Sequence, residues 1–151
     1  MQVYLATDHA GFDLKEKVRE LLKKEGYEMV DCGAYQYDKN DDYPDFIAKA
    51  AEAVSKDPEN TRGIIFGSSG QGEAIVANKY KGVRAVVFYG KVPEIIALSR
   101  EHNNANVLSI GVRFVDEKEI LVLVKQWLEL PFAGEERHVR RIEKIKKLEN
   151  V

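Results

Sequence analysis

The chain has 151 residues, of which 44% are hydrophobic and 32% are charged, and its formal net charge is −2 with an isoelectric point near 6.0. These values are typical of one domain, residues 1–151, with a full hydrophobic core, and they argue against partners such as nucleic acid or a membrane surface. The only cysteine, Cys32, excludes a disulfide framework and a CxxC metal site. The first apolar run stops at Asp8 and lacks a basic leader, so we expect a cytoplasmic protein without signal peptide or transmembrane segment.

Short β-rich runs alternate with amphipathic helical patterns along the whole chain. In chain order, the first half predicts a strand at 3–7, a helix with an apolar face from Phe12 to Leu22, a strand at 27–31, a polar loop at 33–42, a helix from Pro44 to about 55, and a strand at 63–66. The second half predicts a helix at 72–79, a strand at 84–88, a helix at 92–101, a strand at 106–110, a helix at 116–130, and a last helix after Gly134. This alternation predicts a Rossmann-like three-layer α/β sandwich, with a five-stranded parallel sheet, helices on both faces and a C-terminal helix.

The most informative segment follows the third predicted strand and reads Gly67-Ser68-Ser69-Gly70-Gln71-Gly72-Glu73. Its glycines leave backbone N–H groups accessible to a small anion, and the helix that follows adds the partial positive charge of its N-terminus. Glu73 can then contact whatever the loop binds. Taken alone, the segment favours an ordinary strand–helix turn, because a glutamate in the first helical turn contributes about 0.3–1 kcal/mol without any function.

Other polar residues cluster near strand ends, where ligands of such folds bind. They are Asp8 and His9 after the first strand, His102 and Asn103 before the fifth, Arg113 after it, and Arg137 and Arg141 on one face of the last helix. Singly, each is explained as a loop residue, a helix cap or a solvated face. Together, arginines, histidines and glycine-loop amides indicate a site for a small phosphorylated anion.

Several motifs occur in one characteristic order between about residues 3 and 145: Thr7-Asp8-His9-Ala10-Gly11, Asp42-Tyr43-Pro44, the glycine loop, Ala77-Asn78-Lys79, Gly82-Val83-Arg84-Ala85, Arg100-Glu101-His102-Asn103-Asn104-Ala105-Asn106 and Arg137-His138-Val139-Arg140-Arg141. In this order they resemble the ribose-5-phosphate isomerase B family, which also includes subunits of galactose-6-phosphate isomerase. Many members carry a cysteine base at the end of the third strand. Gly67 stands there in this chain, Cys32 lies elsewhere, and Glu73 matches the catalytic glutamate of another branch.

The resemblance implies isomerisation of ribose 5-phosphate to ribulose 5-phosphate through a cis-enediolate, with no metal and no organic cofactor. By this resemblance Glu73 is the general base and His102 protonates the ring oxygen, while Asp8 orients the sugar hydroxyls or accepts the hydroxyl proton. The amides of Ser69 and Gly70, with Asn103, would stabilise the enediolate, and the Ser69 hydroxyl would assist proton exchange. The remaining expected substrate contacts are Gly67, Ser68 and Gly72 in the loop, Tyr43 against the sugar, and His9, Arg113, Arg137 and Arg141 at the phosphate.

The resemblance also implies a homodimer, or a tetramer built from dimers, with each site shared between two chains. The His102-Asn103 segment and Arg113 would then reach the Asp8, His9 and Glu73 of the partner. Apolar residues around His102 exceed what one helix needs for contact with its own sheet, which is compatible with such an interface. They include Val92, Ile95, Ile96 and Leu98.

Three alternatives stay open at this point. The site could isomerise a six-carbon phosphosugar such as galactose 6-phosphate or allose 6-phosphate, or the chain could be a non-catalytic phosphate- or nucleotide-binding module of flavodoxin-like shape. A metal-dependent hydrolase built on Asp8, His9, His102 and His138 lacks a recognised ligand spacing. The pKa of Glu73 is also open, because a helix N-terminus lowers it and burial raises it.

Overall fold

A computed structural model describes residues 1–149. Its strands are β1 (Gln2–Thr7), β2 (Glu28–Asp31), β3 (Thr61–Gly67), β4 (Ala85–Phe88) and β5 (Val107–Gly111). Its helices are α1 (Phe12–Lys24), α2 (Pro44–Lys56), α3 (Gln71–Ala77), α4 (Glu94–Glu101), α5 (Glu117–Glu129) and α6 (Glu136–Leu148). Within residues 1–149, each of these helices is too short or too polar to cross a bilayer.

The five strands form one sheet in the order β2-β1-β3-β5-β4, and every neighbouring pair is parallel. Phe66 of β3 lies beside Thr7 of β1, and Gly67 lies beside Gly111 of β5. The segments that follow these three strands therefore meet at one edge of the sheet, which we call the carboxyl edge. The predicted class, a parallel α/β sandwich with a C-terminal helix, is confirmed.

Each face of the sheet carries its own hydrophobic core. Successive side chains of β3 point to opposite faces, so Ile64 and Phe66 pack under α1, α4 and α5, while Ile65 packs under α2 and α3. Trp127 of α5 is fully buried in the first core, where its indole N–H donates to Ser99 Oγ at 3.1 Å. Because both faces are covered, all seven residues of β3 are buried.

Two short 3₁₀ turns extend strand ends in a way that the sequence pattern did not predict. One covers His9–Gly11 after β1, and the other covers Val112–Phe114 after β5. Asp8 caps the first turn by accepting a hydrogen bond from Ala10 N at 2.9 Å. Because of these turns, the residues that come directly after β1 and β5 stay close to the sheet.

The predicted element boundaries shift by up to two residues. The helix expected at 72–79 ends at Ala77, because the Asn78 side chain exchanges two hydrogen bonds with the backbone of Ala85 at the start of β4. The helix expected from Val92 begins at Glu94, after Pro93. These shifts leave the alternation of strands and helices unchanged.

The last helix, α6, lies at the opposite end of the sheet, which we call the amino edge. Near its C-terminus Glu149 Oε1 accepts a hydrogen bond from Gly82 N at 2.9 Å, just before β4 begins. Near its start His138 stacks on His102, which follows α4 and precedes β5. Ile142, between these two contacts, is buried. The helix therefore covers the amino ends of strands in the half of the sheet that contains β4 and β5.

A buried ion pair joins α1 to the end of β2. Lys15 is fully buried, and its Nζ donates to both carboxylate oxygens of Asp31 at 2.7 and 2.8 Å and to the carbonyl of Ala34 at 2.8 Å. Asp31 also accepts from Gly33 N at 2.9 Å, so the pair fixes the point at which the chain leaves β2. Removing one partner of such a pair leaves the other charge without compensation.

We expect Lys15→Met to lower the free energy of unfolding by about 2–3 kcal/mol, because Asp31 loses its cation in a largely buried position. The control is Lys17→Met on the same helix, which removes an exposed pair with Glu117 and should cost less than about 1 kcal/mol. Urea denaturation at one fixed protein concentration measures both. Equal losses in the two variants would contradict the stabilising role of Lys15.

Candidate active site

The Glu73 carboxylate lies against the end of β3, in the space that a side chain on residue 67 would occupy. A Cβ atom built on Gly67 would overlap the carboxyl group of Glu73. Glu73 itself is only 4% exposed, although it belongs to the first turn of α3. This position of the buried carboxylate leaves no room for a side chain on residue 67, so a thiol there would require Glu73 to move.

Burial raises the pKa of Glu73 above its ordinary value, and this is the largest effect on the group. A hydrogen bond from the backbone of Glu73 lowers the pKa, and the nearby negative charge of Asp8 raises it. Desolvation is thus the largest of these effects, and the net shift of the Glu73 pKa is upward. A carboxylate with a raised pKa is a stronger proton acceptor.

Asp8 and His9 lie at the same edge, directly after β1. Asp8 is buried, and the 3₁₀ turn that it caps holds its side chain in place. The ring of His9 is partly exposed, and its Nδ1 lies 2.6 Å from Asp41 Oδ1. That hydrogen bond is the main cause of the raised pKa of His9. Asp41 was not among the predicted site residues, because it belongs to the loop at 33–42, whose course no local pattern specifies.

The glycine loop is held by the end of β5. Ser109 Oγ donates to the carbonyl of Gly70 at 2.6 Å, and Arg113 N donates to the carbonyl of Ser68 at 3.1 Å. Gly70 has a φ of 76°, and a Cβ there would lie 3.0 Å from Gly111 N, so both its conformation and its surroundings require glycine. The loop is therefore a rigid cradle, with the partly exposed Ser69 at its open side.

Tyr43 contacts the glycine loop from the other side. It immediately precedes α2, and its hydroxyl lies where a Cβ of Gly72 would be, at 2.6 Å. Gly72 thus allows the phenol ring to approach the start of α3. The predicted sugar contact Tyr43 is brought to the same edge as Asp8 and Glu73.

A second group of predicted residues lies at the amino edge. His102 and His138 stack with ring centroids 4.3 Å apart and an angle of 12° between the planes. Asn103 follows His102 and is exposed, as are Arg137 and Arg141 on α6. His138 is 3% exposed, and burial lowers its pKa, with the neighbouring His102 adding to the effect.

His138 was named in the sequence motif but not among the expected site residues. Its position between Arg137 and Arg141 on α6 is the sequence feature that could have identified it. Arg137 and Arg141 are spaced i and i+4 on the solvent side, so His138 falls on the packed side of the helix. There it forms the support on which the His102 ring rests.

Within one chain the two groups lie at opposite edges of the sheet. The carboxyl edge brings together Asp8, His9, Glu73 and the glycine loop, and the amino edge carries His102 with the α6 arginines. Arg113, which was expected to accompany His102, follows β5, and its backbone is bonded to Ser68 of the same chain. A hydrolase centre combining Asp8 and His9 with His102 and His138 is not assembled, because the two pairs occupy different edges.

One cluster of potential metal ligands occurs in the part of the chain that the structure describes. Ligand atoms of Asp8, His9 and Asp41 lie within 4.8 Å of one another. His9 Nδ1 already bonds to Asp41, and Asp8 Oδ1 already accepts from Ala10 N.

Cys32 directly follows β2, and its side chain is buried. It packs in the core beneath α2, and its N–H donates to the carbonyl of Leu5 at 2.8 Å. Burial raises the pKa of its thiol to about 11. Such a thiol is protonated at neutral pH and is a poor base or nucleophile.

An apolar groove of about 650 Å³ opens beside Ser69. It is lined by residues of the β4–α4 connection and the turn after β5, including Tyr89, Val92, Ile95 and Phe114, all exposed. Two of the apolar residues that the sequence analysis noted around His102, Val92 and Ile95, thus belong to an exposed surface that extends to the glycine loop.

Comparison with known proteins identifies the family of the chain. The family model described as Ribose/Galactose Isomerase matches residues 3–145. Ribose-5-phosphate isomerase B of Mycobacterium tuberculosis is 44% identical over 143 residues, covering 95% of this chain and 86% of that protein. The Escherichia coli enzyme of the same name is 36% identical over 148 residues, covering 98% and 96%.

Solved structures agree as closely. Ribose-5-phosphate isomerase B from Mycoplasma genitalium, solved with bound ribulose-5-phosphate, is 40% identical with a TM-score of 0.94, over 99% of this chain and 96% of that one. The enzyme from Clostridium thermocellum is also 40% identical, with a TM-score of 0.91 over 99% and 98%. The chain therefore belongs to the ribose/galactose isomerase family.

Proposed function

We propose that this protein is an aldose–ketose isomerase that interconverts ribose 5-phosphate and ribulose 5-phosphate without a cofactor. The observation that carries the proposal is the buried Glu73 carboxylate, held at the end of β3 beside a glycine loop. A module that only binds phosphate gains nothing from a carboxylate next to its anion site, whereas isomerisation needs a base there. Relatives over most of the chain carry the same activity in their names.

In the proposed mechanism Glu73 removes the proton from C2 of the open-chain aldose and returns it to C1. The electron pair of the C2–H bond forms the enediolate, whose negative charge develops on O1. Backbone amides of Ser69 and Gly70 stabilise that charge. The proton on O2 moves to O1 with help from the Ser69 hydroxyl, and O2 becomes the ketose carbonyl. Asp8 orients the hydroxyl groups during these steps.

We infer that the working unit is a homodimer with shared sites. His102 is needed to protonate the ring oxygen, and Arg137 and Arg141 to hold the phosphate, yet all three lie at the amino edge of their own chain. A two-fold axis that brings the amino edge of one chain to the carboxyl edge of another would complete two equivalent sites. The exposed apolar groove beside Ser69 offers a surface for that contact. Two such dimers could form a tetramer, and the cytoplasm is the expected location.

We expect Glu73→Gln to lower kcat about 10²–10⁴-fold, because glutamine keeps the shape of the side chain but cannot accept a proton. Ketose formation from ribose 5-phosphate measures the rate, and inhibition by inorganic phosphate checks that binding survives. Cys32→Ser is the control and should leave kcat nearly unchanged. A kcat close to that of the parent in Glu73→Gln would refute the assigned base. Allose 6-phosphate and galactose 6-phosphate in the same assay test the six-carbon alternative.

The pH dependence of kcat provides a separate prediction. Glu73 acts as the ionised base, so kcat is full above its pKa and falls about tenfold per pH unit below it. Because burial raises this pKa, the acid limb should have its midpoint above the ordinary value of 4.5. Steady-state rates between pH 4 and 8 at saturating substrate measure the limb. A midpoint at or below 4.5 would show that the helix N-terminus outweighs burial.

Subunit mixing tests the shared site. Glu73→Gln and His102→Ala are each expected to be nearly inactive, and their heterodimer should contain one site with both lesions and one with neither. Mixing under conditions of subunit exchange should therefore restore activity, up to about half of the heterodimer's sites. Native mass spectrometry confirms the exchange. Complete exchange without recovered turnover would place Glu73 and His102 in one chain's site and exclude the proposed dimer.

A further inference from the structure

The Asp41 carboxylate holds both the backbone and the ring of His9. Its Oδ1 accepts hydrogen bonds from His9 N at 3.0 Å and from His9 Nδ1 at 2.6 Å. Two bonds from one residue to one oxygen fix the side-chain torsions of that histidine. The Asp41 side chain is 10% exposed, so the contact is protected from water.

The same contact determines which nitrogen of His9 faces the ligand. An ionised carboxylate only accepts hydrogen bonds, so Nδ1 of His9 is the donor in this pair. Nε2 is then the nitrogen on the far side of the ring from Asp41, free to face an approaching anion. The Tyr37 ring meets the imidazole edge-on at a centroid distance of 6.1 Å, which further limits its rotation.

The charges around His9 favour its cationic form. Asp41, Asp8 and Asp38 all raise its pKa, with the Asp41 hydrogen bond contributing most, and only desolvation acts against them. Asp41 Oδ2 is buried and has no hydrogen-bond partner among the described residues. The hydrogen bonds of this carboxylate are thus made to His9 and to no other described residue.

We propose that Asp41 is a positioning residue that holds His9 with its Nε2–H directed at the phosphate group of the substrate. The inference rests on the proposed function for the identity of the anion, and it adds a residue outside the family motifs quoted above. Asp41 acts through His9 and has no contact with the reacting carbons.

The position of Asp41 in the chain gives this contact a second consequence. Asp41 lies two residues before Tyr43, which immediately precedes α2 and packs against Gly72. Asp45 N also donates to the carbonyl of Asp42 at 3.2 Å, so the start of the helix orders this stretch. The segment 41–43 therefore carries both Asp41, which holds His9, and the expected sugar contact Tyr43.

Replacement of Asp41 by asparagine tests the proposal. Asp41→Asn should raise KM for ribose 5-phosphate and the inhibition constant for inorganic phosphate about tenfold each, the loss expected for a weakened charge-assisted bond, with kcat changed less than about threefold. Asp38→Asn is the matched control, since it removes an equal charge from the same loop without contacting His9, and should change either constant less than twofold. Unchanged phosphate inhibition in Asp41→Asn would overturn the proposal.

A double-mutant cycle separates positioning of His9 from ordering of the loop. In His9→Ala the backbone bond to Asp41 remains, so a merely structural role for Asp41 would persist in that background. If Asp41 acts through the ring, Asp41→Asn should weaken phosphate binding in the parent protein and have almost no further effect in His9→Ala. Equal effects in both backgrounds would overturn the proposal.

Ring NMR of His9 provides a test that does not depend on the reaction. The chain has three histidines, so the His9 signals can be assigned from the His9→Ala variant. In the parent protein Nδ1 should be protonated throughout the titration, and the pKa of His9 should fall in Asp41→Asn. If these signals and phosphate binding change as expected while no sugar phosphate is isomerised, the proposed function fails and the role of Asp41 stands. An unchanged titration in Asp41→Asn would overturn the role itself.

Discussion

The parallel pairing of β3 with β1 and β5 is the constraint on which the site depends. It aligns Phe66 with Thr7 and Gly67 with Gly111, so three separate chain segments leave the sheet at one place. Asp8 and His9 follow β1, the glycine loop with Glu73 follows β3, and Arg113 follows β5. The close approach of the strands also sets the space available, and that space decides which side chains are possible at the end of β3.

The packing around Glu73 changes the pKa of its carboxylate. Its carboxylate fills the volume that a side chain on Gly67 would need, and the neighbouring strands and helix exclude water from it. Desolvation then raises the pKa, which makes the group a stronger base than an exposed glutamate. A side chain on residue 67 and the Glu73 carboxylate in this position would occupy the same volume.

Local patterns were sufficient to predict the fold. The apolar run before Gly67 and the helical pattern after it predicted the strand–loop–helix unit, whereas the role of Glu73 as base came from the family resemblance and stays a prediction. The contribution of Asp41 could not be predicted, because the course of a ten-residue polar loop depends on contacts with distant parts of the chain. The sign of the Glu73 pKa shift could not be predicted either, since it depends on tertiary burial. The position of His102 before β5, however, already implied the amino edge, because all strands run in one direction.

This directionality separates the two groups of proposed site residues within a single chain. In a parallel sheet, residues before a strand and residues after it are separated by the whole length of that strand, about 3.3 Å for each residue. The five residues of β5 alone hold His102 and Arg113 apart, and no side chain is long enough to close that gap. In the proposed mechanism, Glu73 at one edge and His102 at the other cooperate across an interface between two chains. On that proposal assembly is a condition of activity, and a variant that weakens the interface should lose turnover even when each chain remains folded.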